Sequence, residues 1–166
     1  MKYWHSLLMY FGAFLLQPVL YSFAPQLGIT PNLILCLTVV LVLLYDDNYY
    51  GIFNGAIFGL LSDVCYGQYF GINSLAFVII AIIVLFLREF ANVENVFTAV
   101  ITGAVSTWLH VSIVWLIMKL AGSPYDYMMA IEILPLSIIF NEVIIVILYF
   151  ILIKRVIKFR RDRYFK

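Results

Sequence analysis

The chain has 166 residues with a formal net charge of +1, and 65% of them are hydrophobic and 11% charged, whereas soluble domains average about 25% charged residues. This composition excludes a soluble protein and is typical of an integral membrane protein. A bilayer core about 30 Å thick needs roughly 20 apolar residues per helical crossing, so the length allows at most about six or seven crossings and no soluble domain.

The first apolar stretch, from about Trp4 to Phe23, predicts a membrane-spanning helix. We expect it to be interrupted or kinked near Pro18, because proline removes a backbone donor and clashes with the preceding turn. The stretch resembles a signal peptide with a cleavage site at residues 22–24. Pro25 follows that site directly and argues against cleavage, so the stretch is kept as the first span.

The second span is short. Thr30 and Pro31 predict its N-cap and its first helical residue, and the apolar run from Leu33 to Tyr45 ends at the polar residues 46–48. Counted from residue 31 to residue 48, the span reaches roughly 27 Å. That length crosses a bilayer only where the bilayer thins or where neighbouring helices bury the span.

The third span, from about Tyr49 to Tyr66, carries small residues at every fourth position. The pattern continues into the following turn and includes one acid: Gly51, Gly55, Gly59, Asp63, Gly67 and Gly71. Glycines at this spacing remove side-chain bulk from one face of a helix, so that another helix can approach closely. We therefore predict a helix-packing groove that also receives a partner helix.

Asp63 is the only charged residue between Asp47 and Arg88. An acid in a lipid-embedded helix costs about 2.5–3.5 kcal/mol on insertion scales unless it is paired or wetted. One interpretation places Asp63 where the glycine groove meets the external turn. The alternative is a cap, in which its carboxylate satisfies the amides of the turn at 67–71 or of the start of the fourth helix.

Three further spans follow the glycine-rich turn. A polar turn at 88–94 and a Gly-Ser-Pro break at 122–124 separate them. Their predicted bounds are about Ile72–Leu87, Val96–Leu120 and Ile131–Ile153. The chain is thus predicted to be an all-α, polytopic integral membrane protein with six transmembrane helices.

The predicted organisation is a six-helix transmembrane domain at 1–153 and a basic tail at 154–166. Seven of the ten Lys and Arg residues lie in this tail. With an even number of crossings, the positive-inside rule places both termini in the cytoplasm. The cluster of cations also predicts contact with anionic lipid, with a cytoplasmic partner as the alternative.

The fifth span carries a polar stripe in which Thr98, Thr102, Ser106 and His110 lie four residues apart. Hydroxyl groups commonly bond to carbonyls of their own helix, which would make the stripe structural. His110 lies at about the same depth as Asp63 when both helices are counted from the cytoplasmic face at about 1.5 Å per residue. We predict that Asp63 and His110 are partners.

Asn141 and Glu142 lie near the middle of the sixth span. An acid at this depth is costly against lipid, so the side chain of Glu142 should face protein or water. We expect it to make an interhelical hydrogen bond. The alternative is a carboxyl that lines a cavity or contacts a partner helix.

No signature of catalysis, cofactor binding or metal binding is present in the sequence: there is no nucleophile elbow, phosphate loop, HExxH or paired-cysteine motif. Cys36 and Cys65 lack the spacing of a metal site and are expected to be buried, inert thiols. We predict that the protein is not an enzyme and binds no metal, cofactor or nucleic acid.

The stretch from Gly55 to Asp63, GAIFGLLSD, followed by Gly67, Gly71 and Leu75, resembles the signature of the bacterial rod shape-determining protein family MreD. The chain length and the Pro-Asn-Leu sequence at 31–33 are also similar. The resemblance implies a non-catalytic scaffold of the cell-wall elongation machinery in the bacterial inner membrane. It implies binding to the single-span protein MreC and, through it, to MreB filaments and to the RodA and penicillin-binding synthases.

The fold of that family is also similar to the substrate-binding S components of energy-coupling-factor vitamin transporters, which implies an alternative function. In that alternative, Asp63, His110 and Glu142 line a vitamin pocket that opens outward. An S component retains a small molecule and associates with a coupling subunit and ATPases. A scaffold instead co-purifies with a single-span coiled-coil partner.

Overall fold

A computed structural model describes residues 3–23, 30–45, 49–67 and 69–164, and all of the regular secondary structure in these residues is α-helical, which confirms the all-α prediction. Six helices follow one another along the chain: α1 (Tyr3–Phe23), α2 (Leu33–Leu44), α3 (Tyr49–Tyr66), α4 (Ile72–Phe90), α5 (Val96–Leu120) and α6 (Tyr127–Tyr164).

The central element of the bundle is α2. Every residue from Ile34 to Leu44 is buried, and the helix contacts all five of the others. A helix that is apolar on all sides is stable only when protein or lipid surrounds it completely. The other helices each leave large hydrophobic side chains exposed, and all five pack against α2.

Three helices are long and apolar enough to cross a membrane by length and composition: the described parts of α4, α5 and α6, the last over Tyr127–Lys154. The apolar helix α2 has 12 residues and is about 18 Å long, well short of a bilayer core of about 30 Å. Crossing by α1, α2 and α3 stays a prediction, and so does the total of six spans.

The helix bounds agree with the predicted spans to within one residue except at four ends, one of which is the start of α2. The fourth helix continues through Phe90 into the predicted polar turn, and the sixth begins four residues early, at Tyr127. It also continues to Tyr164, so most of the basic segment is a helical extension of α6. The first helix passes through Pro18 without interruption.

The predicted N-cap of α2 is wrong by two residues. Asn32, not Thr30, is the cap, and its Oδ1 accepts a hydrogen bond of 3.0 Å from the amide of Leu35. An Asn in extended conformation supplies such an acceptor directly, and the helix therefore begins after Pro31 rather than with it. The polar end of the predicted span at 46–48 lies outside the described residues.

Candidate functional site

The glycine ladder of α3 packs against helices of the same chain. A Cβ placed on Gly51 would lie 2.8 Å from Val42 Cγ2, and one on Gly55 would lie 2.8 Å from Thr38 Oγ1, so both glycines face α2. At the same junction, the hydroxyl of Tyr10 on α1 lies 2.9 Å from Thr38 Oγ1 and 3.0 Å from the carbonyl oxygen of Gly51. The ladder thus joins α1, α2 and α3.

Gly59 faces a different helix. A Cβ there would lie 2.9 Å from Ser74 Cα and 2.8 Å from Phe77 Cδ2, so the start of α4 packs directly on the backbone of α3. The hydroxyl of Ser74 donates to the carbonyl of Ala56 at 2.8 Å across the same contact. These contacts are of the close helix-packing kind that the glycine spacing predicts. Docking of a partner protein's helix on this face stays a prediction.

The last two glycines form the turn into α4. Gly67 donates its amide to the carbonyl of Asp63 at the end of α3. Gly71 is the N-cap of α4 and has a φ of 84°, a left-handed conformation that glycine adopts at little cost. Because glycine has no side chain, the cap position itself offers no acceptor to the first amides of α4.

Asp63 supplies the missing cap from the neighbouring helix. Its side chain is 3% exposed. Oδ2 accepts hydrogen bonds from the backbone amides of Asn73 at 2.9 Å and Ser74 at 3.3 Å, the second and third residues of α4. A carboxylate at a helix N-terminus satisfies orphan amides and favours the positive end of the helix dipole. These bonds confirm the capping interpretation of Asp63.

Asp63 and His110 are joined through a third residue. Asn73 Nδ2 donates to Asp63 Oδ1 at 2.6 Å, and Asn73 Oδ1 lies 2.9 Å from His110 Nε2. The ring of His110 also stacks on Phe77, with centroids 5.4 Å apart. The predicted partners Asp63 and His110 are therefore joined through the side chain of Asn73 rather than by a direct hydrogen bond. We call this chain of side chains the Asp63–Asn73–His110 relay.

Asn141 lies at the centre of a second polar cluster, where α2, α5 and α6 meet. Its Oδ1 accepts from the amide of Asn32 at 2.8 Å, and its Nδ2 donates to Thr107 Oγ1 at 3.1 Å. The thiol of Cys36 lies 3.6 Å from its carbonyl oxygen. All of the side-chain polar atoms of this buried amide therefore have partners, and they tie the start of α2 to two other helices.

Both ends of α2 receive further polar contacts from helices around it. Gln17 on α1 donates to the carbonyl of Pro31 at 2.8 Å and accepts from the amide of Leu33 at 2.9 Å. At the other end, Arg88 Nη1 on α4 donates to the carbonyl of Tyr45 at 2.6 Å, a favourable place for a cation beside a helix C-terminus. The amides of Leu33 and Leu35 at the start of α2 and the carbonyl of Tyr45 at its end thus have side-chain partners.

Glu142 packs beside Gly103 of α5. A Cβ on Gly103 would lie 2.5 Å from Glu142 Oε1 and 2.6 Å from Ile145 Cδ1, so the glycine leaves the space that the carboxyl fills. Both carboxyl oxygens are buried, and neither has a hydrogen-bond partner among the residues that the structure describes. The expected interhelical hydrogen bond is therefore not formed. Thr102 and Ser106, on the same helix as Gly103, are buried as well.

Several polar residues of these clusters were missed by the sequence analysis. Gln17, Asn32, Asn73 and Arg88 carry the contacts at the ends of α2 and α4. Their positions in the sequence could have indicated these contacts. Each is a polar side chain in or beside an apolar helix and lies close in space to the beginning or end of α2 or α4. Cys36 is buried as expected, whereas Cys65 is exposed, and the prediction for Cys65 is wrong.

The polar groups form structural contacts rather than a metal centre. No group of three or more His, Cys, Asp or Glu side chains is placed to hold a metal ion in the described part of the chain. Fold and site together define a membrane protein in which buried polar side chains join helices around a short central one.

The family model for the rod shape-determining protein MreD matches residues 1–159, so the chain belongs to this family. Its role is therefore in the determination of rod cell shape, and the family is a structural one that is not known for enzymatic activity. Comparisons with curated proteins and with solved structures found no match.

Proposed function

We propose that this protein is a non-catalytic scaffold of the cell-wall elongation machinery. It crosses the bacterial inner membrane six times, binds an MreC-like single-span protein, and through that protein is linked to MreB filaments and to the RodA and penicillin-binding synthases. The observation that carries the proposal is the family match over residues 1–159. A scaffold needs a stable surface rather than reactive groups, and the polar contacts described above stabilise the bundle.

The proposed orientation has both termini in the cytoplasm. Six crossings return the chain to its starting side, and the basic residues from Lys154 onward favour the cytoplasmic face. The helical continuation of α6 to Tyr164 extends about 15 Å beyond Lys154, at 1.5 Å per residue. A basic helix of that length is suited to contact anionic lipid headgroups at the cytoplasmic surface.

The described contacts support a scaffold over a vitamin-binding S component. A shared ligand pocket requires Asp63, His110 and Glu142 to face one space. Both carboxylate oxygens of Asp63 accept hydrogen bonds from α4, and the carboxyl of Glu142 packs against Gly103 of α5. Asp63 therefore contacts α4 and Glu142 contacts α5, so the two acids do not face one shared space.

The proposal is tested by depletion of the protein and by purification of its complex. Loss of the protein from rod-shaped cells should produce rounded cells, and the tagged protein in mild detergent should retain a single-span partner. Unchanged cell shape together with a vitamin requirement, or a purified protein that retains a small molecule and ATPase subunits, would contradict the scaffold proposal.

A further inference from the structure

A cavity of about 300 Å³ lies between the second half of α5 and the first half of α6. The relay reaches this cavity, because His110 is one of its lining residues. Asp126, just before α6, is another lining residue and is exposed. The remaining walls are almost entirely apolar and include Trp115 and Met129.

The relay engages Nε2 of His110 and leaves Nδ1 as the other polar atom of this lining residue. The amide nitrogen of Asn73 donates to Asp63, so the amide oxygen is left to accept from His110 Nε2. In a neutral imidazole with its proton on Nε2, Nδ1 is a hydrogen-bond acceptor. No donor reaches Nδ1 among the residues that the structure describes. An occupant that covered this acceptor with apolar atoms alone would leave it unsatisfied.

The polar groups of the lining are complementary to a donor. His110 contributes an acceptor and Asp126 a carboxyl group, and no Lys or Arg is among the lining residues. The Nε1 of Trp115 is already engaged, since it donates to the carbonyl of Tyr125 at 3.3 Å. The fitting occupant therefore has an apolar body and an N–H or O–H donor at its tip.

The composition of the lining favours a protein over a lipid. Trp, Tyr and Met are enriched in protein interfaces, and Trp115, Met118, Tyr125 and Met129 all line this cavity. Met129 is 58% exposed and Tyr125 is 60% exposed, so the opening presents flexible and aromatic side chains at the surface. A carboxylate at Asp126 repels anionic lipid headgroups.

We infer that this cavity receives one donor-bearing side chain, of the Trp, Tyr, Lys or Arg type, from the membrane helix of the single-span partner. The inference rests on the proposed function and assigns a location to the contact with the partner. A single anchor that fills a desolvated pocket commonly carries much of an interface's affinity. The volume of about 300 Å³ is at the lower end of the range of small-ligand sites, about 300–1,000 Å³, and matches one large side chain.

Photocrosslinking in native membranes tests the location. Benzoylphenylalanine replaces Met129 in the cavity or, as a control, Ile82 on α4, which is 55% exposed and outside the lining. We expect an adduct with the helix of the single-span partner from position 129 and not from position 82. Adducts from position 129 that contain only lipid, or a second copy of this chain, would overturn the inference.

Filling the cavity tests the anchor. Ala130 lines the cavity, and Ala130→Trp should reduce co-purified partner by at least about tenfold, since hot-spot pockets dominate binding. The matched control is Ile139→Trp, on an exposed position of the same helix outside the lining. His110→Phe keeps a ring on Phe77 but removes the acceptor, and should also weaken binding. Ala130→Trp leaves the relay intact, so its result does not depend on whether His110→Phe folds.

The outcomes separate the inference from the proposed function. If the wild-type chain binds the partner and both cavity variants bind it equally well, the cavity assignment is wrong and the scaffold proposal stands. If the wild-type chain itself fails to bind any single-span partner, the proposed function is wrong. A loss of binding in Ala130→Trp that Ile139→Trp does not share supports the inference.

Discussion

Replacing Glu142 with Met should make the isolated protein more stable. Both carboxyl oxygens are buried without a hydrogen-bond partner in the described residues, and an unsatisfied buried polar group costs about 1–3 kcal/mol. Met has a similar length and no such group, so it fills the space beside Gly103 at less cost. A gain of about 1–3 kcal/mol corresponds to a change of about 5- to 150-fold in the unfolding equilibrium.

The assay is reversible unfolding of the purified protein in detergent micelles, followed by helix content. Glu142→Gln is the matched control, because it keeps the shape and two polar atoms in the same surroundings and should gain far less than Glu142→Met. Gly103→Ala should be destabilising, since its Cβ would lie 2.5 Å from Glu142 Oε1 and 2.6 Å from Ile145 Cδ1.

A Met variant that is less stable than the wild type would refute this reasoning. It would mean that the carboxyl of Glu142 has a stabilising partner in the purified protein. Glu142→Met also tests one of the two remaining alternatives for this residue, contact with a partner helix; the other is a carboxyl that lines a cavity. If Glu142→Met is stabilised but no longer supports rod shape in cells, the carboxyl acts on a partner rather than within the bundle.

Three further experiments test the helix contacts. Gly59→Ala should lose about 1–3 kcal/mol of stability, because the added Cβ overpacks against the α4 backbone. The control Gly12→Ala has nothing within 4 Å of the added Cβ and should be neutral or slightly stabilising. Equal effects of the two substitutions in thermal unfolding would contradict the packing argument. Asp63→Asn and His110→Gln should be non-additive by at least about 0.5 kcal/mol in a double-mutant cycle, because a bridging amide couples them; additive losses would count against the relay. Asn141→Leu should cost roughly 2–4 kcal/mol in the same unfolding assay, because it leaves a buried amide and a buried hydroxyl without their partner; a neutral result would show that water replaces it.

The sequence is sufficient to predict the helices because hydropathy and breakers act locally. The bounds of α3 and α5 match the predicted ones at both ends, since Gly, Pro and Asn residues interrupt the apolar runs there. The end of α6 could not be predicted from apolar character, because a charged helix can continue past Ile153 once water surrounds it. The cap of α2 was misplaced because Thr30 and Asn32 are both acceptable N-caps, and only the contacts with other helices decide between them.

Which side chains of two helices meet depends on how each helix is rotated about its axis. The depth of a residue along its helix does not determine that rotation. Counting residues placed Asp63 and His110 at one level, but it could not show that Asn73 lies between them. Glycine spacing likewise predicted close packing, while the facing helix changes from α2 at Gly55 to α4 at Gly59. The lack of a partner for Glu142 among the described residues has no local signature, because it depends on what the helices packed against α6, namely α2 and α5, fail to supply.

The short central helix explains why so many polar contacts surround it. At about 18 Å, α2 is much shorter than a bilayer core about 30 Å thick, and backbone groups left unsatisfied in such a core cost several kcal/mol. Gln17 and Asn32 accept from the first amides of α2, Asn141 accepts from the amide of the N-cap, and Arg88 donates to the carbonyl of the C-cap Tyr45. Helices α1, α4 and α6 are therefore fixed to α2 in register as well as by apolar packing. A bundle held this way presents a constant outer surface, which is the property that a scaffold needs for repeated docking of the same partner.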